Sequence, residues 1–330
     1  MRKLIVLATS LMILGVLVFG LSACSGGFGK GKYETNTYEL SEDFNDISVN
    51  TDIADIVFLP SDDGKCKVVC YETKLLQHSA EIQNGTLNIT VTDNRKWYNF
   101  ISIGIGTPKI TVYLPKAEYS SLKIEEDTGD VDIPSDFSFG GIDISLSTGD
   151  VKCNASSAGN IKISSSTGDI QCNVATANDV KISASTGDVS VGNISSSSLD
   201  ISVSTGKVTV SDAVCEGNVE ISVSTGKSYL TNVRCKNLIS DGNTGDITLA
   251  DVIASEKFNI ERSTGDVKFE ASDAAEILVK TDTGSVKGSL LSSKIFIIDT
   301  DTGKKDVPES LTGGKCKITT DTGDIKITVS

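Results

Sequence analysis

Ile201-Ser202-Val203-Ser204-Thr205-Gly206-Lys207-Val208-Thr209-Val210 contains the plan of most of this chain. Apolar and polar residues alternate on both sides of Thr205-Gly206, the period-two pattern of a strand with one buried face. The dipeptide Thr-Gly recurs at Thr128, Thr148, Thr167, Thr186, Thr205, Thr225, Thr244, Thr264, Thr283, Thr302 and Thr322, always 19 or 20 residues apart. A fixed period near 20 means a solenoid or array. Leucine-rich repeats share the length, but their Leu and Asn pattern is missing.

Aligned on the glycine, the repeats form columns. Two residues later stand Val131, Val151, Ile170, Val189 and Val208; seven residues earlier stand Leu122, Ile142, Ile161, Val180 and Leu199. Each repeat supplies at least two short strands joined at a Ser-Thr-Gly-Asp corner, where Ser, Thr and Asp can bond the local backbone. One such coil cannot bury its apolar face, whereas stacked coils can, each strand pairing with its equivalent about 4.8 Å away. The expected fold is all-β: a parallel β-solenoid of about eleven 19–20-residue coils, residues 121–330, forming a rod on the order of 50 Å long. Flat two-sheet and triangular three-sheet sections both satisfy the pattern. Antiparallel hairpins fit it less well, because every repeat puts the same residue types at the same offset. Lys305 and Gly288 interrupt the core columns, so the late coils are expected to be irregular.

Composition agrees. Of 330 residues only 5% are aromatic, 30 are glycine and one is histidine; the formal charge is −14. A core of Val, Ile and Leu favours strands. The acidic excess argues against nucleic-acid partners, which require clustered Lys and Arg. A single histidine, His78, argues against His-rich metal sites, and the polar connection Thr73–Ser79 around it points to the surface.

The N-terminus reads as an address. Arg2 and Lys3 precede an apolar run from Leu4 to Leu21, then Leu21-Ser22-Ala23-Cys24. This is a secretory signal, residues 1–23, and Leu-Ser-Ala-Cys resembles a bacterial lipobox, in which cleavage precedes a cysteine that receives lipid. Cys24 is therefore the expected lipidation site, with 24–32 a flexible glycine-rich tether. The membrane, through that lipid, is the expected partner, and the location is the extracytoplasmic cell surface. Gly26 to Lys32 imitates a P-loop but lacks the following Ser or Thr and a preceding strand. Residues 33–120 carry the repeat only faintly, with Ile47–Asp52 as a degenerate corner, and are expected to form a β cap. At the other end the strand Ile325–Val329 closes the chain, an expected open edge guarded only by Lys326, which suggests end-to-end self-association.

Phe44-Asn45-Asp46-Ile47-Ser48-Val49, Leu87-Asn88-Ile89-Thr90-Val91, Ile110-Thr111-Val112-Tyr113-Leu114-Pro115 and the serial Ser-Thr-Gly-Asp corners together resemble the DUF4097/DUF2807 group of bacterial β-strand-repeat, adhesin-like proteins. The likeness covers roughly residues 34–330. It implies a solenoid, a surface-exposed non-enzymatic role and no catalytic residues to transfer.

Three groups of residues invite chemistry. Asp130, Asp150, Asp169 and Asp188 follow successive corner glycines and would form a carboxylate ladder able to recruit Ca²⁺; a solvated turn column, interrupted by Lys207 and Lys227, is the simpler expectation. Trp97, Tyr98 and Phe100 could form a sugar- or peptide-binding spot, or pack the cap onto the first coil. The seven cysteines after Cys24 sit at core positions and are expected to be free thiols. No cofactor is implied. The favoured function is a lipid-anchored, adhesin-like binding or structural rod that contacts an envelope polymer, a glycan or a cell-surface protein. A polysaccharide-active β-helix enzyme and an envelope-stress accessory lipoprotein are the alternatives. The even period leaves little room for the long loops from which such enzymes build a groove.

Overall fold

The structure, a computed structural model, describes residues 17–18, 33–94 and 107–330. Cys24 and its tether, most of the leader, and Trp97, Tyr98 and Phe100 lie outside the described residues. The described chain is a parallel β-solenoid. Ser121–Thr128, Ile142–Thr148, Ile161–Thr167, Asp179–Thr186 and Ser198–Thr205 pair in parallel and in register, one coil to the next. The strands after the corners do the same, as in Val131↔Val151 and Val151↔Ile170. A third side is made by Glu118–Tyr119, Ser138–Phe139 and Ser156–Ser157. The section is thus three-sided. The column Leu122, Ile142, Ile161, Val180, Leu199, Val219, Leu238, Phe258, Ile277 and Cys316 is buried throughout, no member exceeding 3% exposure.

The glycine at each corner has a positional reason. A Cβ on Gly206 would stand 1.9 Å from the carbonyl oxygen of Gly187, and one on Gly226 would stand 1.8 Å from that of Gly206. The coils approach so closely at this edge that only a hydrogen fits, and φ at Gly206 is +155°.

A second corner follows six residues after several of these glycines. Asn193, Asp212, Asn232 and Asp251 all hold φ of 52–53°, the left-handed region that Asn and Asp tolerate. Ala271 occupies the same place with φ 47° and no side-chain group to offset it. Ala271→Asn is expected to raise stability by about 0.5–1 kcal/mol, read as a higher urea midpoint; a fall would contradict the strain assigned here.

At the N-terminal end seven strands continue and then close the stack. These are β1 (Tyr33–Leu40), β2 (Asp46–Ile53), β3 (Asp55–Pro60), β4 (Cys66–Thr73), β5 (Leu76–Gln83), β6 (Thr86–Asp93) and β7 (Lys109–Leu114). β2 and β3 form one more coil beneath Ser121–Thr128 and Val131–Ile133, and β6 and β7 lie parallel beneath them in turn. The β4–β5 hairpin then runs antiparallel to β7 and β6, and β1 antiparallel to β4. Reversing direction ends the parallel stack.

The C-terminal end departs from the sequence expectation. Ile325–Val329 is an open edge only in part. It pairs along its length with Val286–Leu290, and its first two residues, Ile325 and Lys326, also pair with Lys305–Asp306 on the other side. Likewise Gly314–Thr322 lies between Val267–Thr283 and Lys294–Thr302. The last coil in sequence is therefore the penultimate coil in space, and the outermost strand is Lys294–Thr302. At each corner the glycine sits against a backbone carbonyl of the neighbouring coil, so the chain can fill the stack out of order and keep that contact. Lys305 is consequently exposed on the outermost coil rather than in the core.

Candidate functional site

The hairpin end holds a buried polar cluster that the sequence reading misplaced. His78 is not a surface residue: it is 2% exposed. The turn after β4 is only Lys74-Leu75, and β5 resumes alternation with Leu76, His78 and Ala80 pointing inward. Cys70 and Glu72 point inward in phase with Val68 on β4. The polar letters of Thr73–Ser79 concealed a strand whose period was the available signal.

His78 Nδ1 lies 2.8 Å from Glu72 Oε2, which also accepts the His78 backbone N–H at 2.6 Å. Glu72 Oε1 accepts from Asn36 Nδ2 at 2.6 Å, and Tyr38 Oη donates to the His78 carbonyl at 2.5 Å. On the other side His78 Nε2 meets Thr51 Oγ1 at 2.7 Å. Carboxylate, imidazole and hydroxyl stand in the order of a hydrolase relay. However, the side chains of Glu72 and His78 are 0% exposed and Thr51 is 3% exposed, so no substrate atom can reach the hydroxyl. Cys70, Glu72 and His78 also offer ligand atoms within 4.8 Å of one another. Zinc bonded at about 2 Å to both nitrogen and oxygen would have to replace the 2.8 Å hydrogen bond between them. The Cys70 thiol is raised by burial, then by Glu72, which disfavours the thiolate a metal needs. The residues fit a closed hydrogen-bond network better than a metal centre.

Next along the interior stands Glu126, register partner of Thr51. Its Oε1 accepts the Ala54 N–H at 3.0 Å and its Oε2 has no partner. Burial pushes this carboxyl up to about 8, with the N–H groups of Ala54 and Thr128 opposing and Asp127 and Asp52 adding. The folded state then holds a proton that the unfolded chain releases above about pH 4.5. Stability from this group is therefore full at low pH and is lost as pH rises towards 8. Glu126→Gln is expected to remove a decline on the order of 3 kcal/mol between pH 5 and pH 8; equal pH slopes for variant and wild type in urea unfolding would refute it.

The structure brings Asp130, Asp150, Asp169 and Asp188 into one column, with Asp55 beneath them. Each carboxylate accepts the backbone N–H of the same corner one coil on: Asp55 that of Asp130, Asp130 that of Asp150, Asp150 that of Asp169, Asp169 that of Asp188, and Asp188 that of Lys207, at 2.8–3.2 Å. Lys207 closes this run, its Nζ 3.1 Å from Asp188 Oδ2. Lys227 reaches the other way, its Nζ 2.9 Å from Asp246 Oδ2 one coil on, and Asp246 accepts the Asp266 N–H at 3.0 Å. The backbone N–H of Lys207 and then its ammonium hold Asp188 below the usual carboxylate range. Half of each carboxylate is thus committed to the backbone. The column reads as a stacking device.

The seven cysteines Cys66, Cys70, Cys153, Cys172, Cys215, Cys235 and Cys316 are all free and buried. Cys153 and Cys172 are register partners, and burial pushes the Cys153 thiol up to about 12. They behave as small apolar residues.

One crevice opens beside the hairpin end, a cavity of about 730 Å³ whose lining includes Leu40, Phe44, Tyr119, Glu42, Asp63 and Lys65. Phe44 and Tyr119 stack with ring centroids 5.7 Å apart, and Tyr119 Oη donates to the Pro115 carbonyl at 2.9 Å. An apolar wall with a charged rim is the usual form of a small-ligand or chain-end site.

A continuous parallel stack with aspartate-tied corners and a reversed hairpin end defines a β-solenoid repeat protein. The chain matches the family model of Toastrack DUF4097 over residues 44–231 and again over 216–330, and it belongs to that family. Similar solved structures include a candidate lipid-binding protein from Parabacteroides distasonis ATCC 8503, 19% identical, covering 79% of this chain and 95% of that one, TM-score 0.41. A candidate adhesin from Bacteroides fragilis NCTC 9343 is 18% identical, with 91% and 99% covered and a TM-score of 0.30. A candidate adhesin from Parabacteroides distasonis ATCC 8503 is 12% identical, with 90% and 98% covered and a TM-score of 0.32. No curated protein matches.

Proposed function

We propose that this protein is a lipid-anchored, non-enzymatic surface rod that binds an extended partner, adhesin-like in the broad sense. The observation that carries this reading is the repetition of its surface. Thr-Gly recurs at every corner and an aspartate follows it at seven of the eleven, one strand spacing apart, which suits a polymer with a repeating chain. The Phe44–Tyr119 crevice at the hairpin end offers a second contact, for a chain end or a single sugar ring. Cys24 would carry the lipid and residues 25–32 the tether. Burial of the Glu72–His78–Thr51 relay weighs against an imidazole-assisted hydrolase; against a carboxylate-based polysaccharide enzyme stand the short connections left by the even 19–20-residue period.

The test is a glycan and extracellular-matrix array probed with the soluble form lacking residues 1–24. The expected result is binding to one polymer class, reduced by Phe44→Ala or by charge reversal along one face. Silence across the array would favour a structural or accessory role instead. Metabolic labelling with a fatty acid, lost in Cys24→Ser, tests the anchor separately.

A further inference from the structure

The out-of-order coil at the C-terminal end has the geometry of a donor segment. Residues up to Asp306 leave a gap two strand spacings wide, about 9–10 Å, between the coil with corner Gly284 and the coil with corner Gly303. Residues 314–330 fill it. Ile277 to Thr283 pair with Cys316 to Thr322, and Phe296 to Thr302 pair with the same strand from the other side. Backbone bonds close both walls: Gly284 N to the Thr322 carbonyl and Gly323 N to the Thr302 carbonyl, each 2.9 Å. Cys316, Ile318, Thr320, Ile325 and Ile327 fill the core and are at most 2% exposed.

The walls are also joined to each other. Lys294 is the register partner of Gly314, which has no side chain. Its Nζ reaches Asp273 Oδ1 at 2.7 Å and the Ala274 carbonyl at 2.6 Å, in the strand beyond the inserted one. Residues 307–313 join the insert to the coil before it; they contain no strand and present Leu311 at 94% exposure.

From this arrangement we propose that residues 314–330 are exchangeable, and that the partner is a second copy of this chain. Two copies would each seat their terminal coil in the other's gap, giving a closed two-fold dimer with the same pairings as the monomer. The gap accepts this segment in register on both sides, and nothing in it distinguishes the chain's own segment from a neighbour's. Exchange needs only that the link swing outward, which is the usual route to domain swapping. A slack link favours the monomer because the tethered segment has a high local concentration; a link too short to cross the third side of the coil forces exchange.

The test compares the soluble chain lacking residues 1–24 with the same chain lacking 309–312, by size exclusion with light scattering. Shortening the link is expected to raise the dimer fraction at least tenfold at equal concentration. Mixed tags should appear in one dimer after refolding together. Adding Ile327→Asp to the shortened chain should abolish the dimer. A folded monomer for the shortened chain, or a dimer indifferent to Ile327→Asp, overturns the proposal. If the shortened chain is insoluble, the unshortened one decides. It should take up a labelled peptide of residues 314–330 on mild warming and reject the Ile327→Asp peptide. Equal uptake or none for both peptides overturns the proposal.

Discussion

Gly206→Ala is expected to destabilise the rod by at least about 3 kcal/mol. The added Cβ would lie 1.9 Å from the Gly187 carbonyl oxygen and 2.7 Å from its carbon. Those are backbone atoms, so no side chain can rotate away. The Gly206 N–H bonds the Thr225 carbonyl and the Gly187 N–H bonds the Thr205 carbonyl, each at 3.0 Å, so spreading the coils breaks the ladder on both sides. The left-handed φ adds strain of its own. Urea unfolding followed by circular dichroism would measure this. Ser204→Ala, an exposed change two residues before the glycine, should move the midpoint by no more than about 0.5 kcal/mol. A Gly206→Ala midpoint as close to wild type as that control would show that the corner stacking is looser than described.

The second large effect is at Glu72. Replacing it with alanine removes the acceptor for the half-buried Asn36 amide and, in the sealed interior, for the His78 backbone N–H and His78 Nδ1. Leaving one partner of a buried pair costs about 3–5 kcal/mol. Glu72→Gln keeps an acceptor oxygen and most of the volume, and is expected to lose about half as much. The pair should also be strongly non-additive. Glu72→Leu with His78→Leu is expected to cost less than Glu72→Ala alone, because no imidazole is then left unpaired. Additive single and double variants would mean that the network does not act as a unit.

Much of this fold was legible because one physical requirement repeats. Thr205-Gly206 and its ten equivalents mark an edge where coils touch through backbone, so the column is visible in the sequence alone. The aspartate after the glycine was visible too, but its task was not. A column of carboxylates looks the same whether it faces solvent, a cation or the next N–H. His78 was misread because polar letters outweighed a weak alternation, Leu76–His78–Ala80. The order of the last coils was illegible for a different reason. The corners at Thr283, Thr302 and Thr322 are interchangeable units, and period carries no information about sequence in space. Only the apolar run Ile295–Ile298 and the misplaced Lys305 hinted that the coil around Thr302 stood at an end.

The carbonyl-to-glycine contact at every corner makes each coil a complete module, whose lower neighbour needs only to present the same carbonyl. A tandem duplication of one 19-residue unit in the middle of the rod would create no contact of a new kind. It would lengthen the molecule by about 4.8 Å and leave both ends unchanged. The length of the rod is then a matter of counting units, adjustable in fixed increments of one strand spacing.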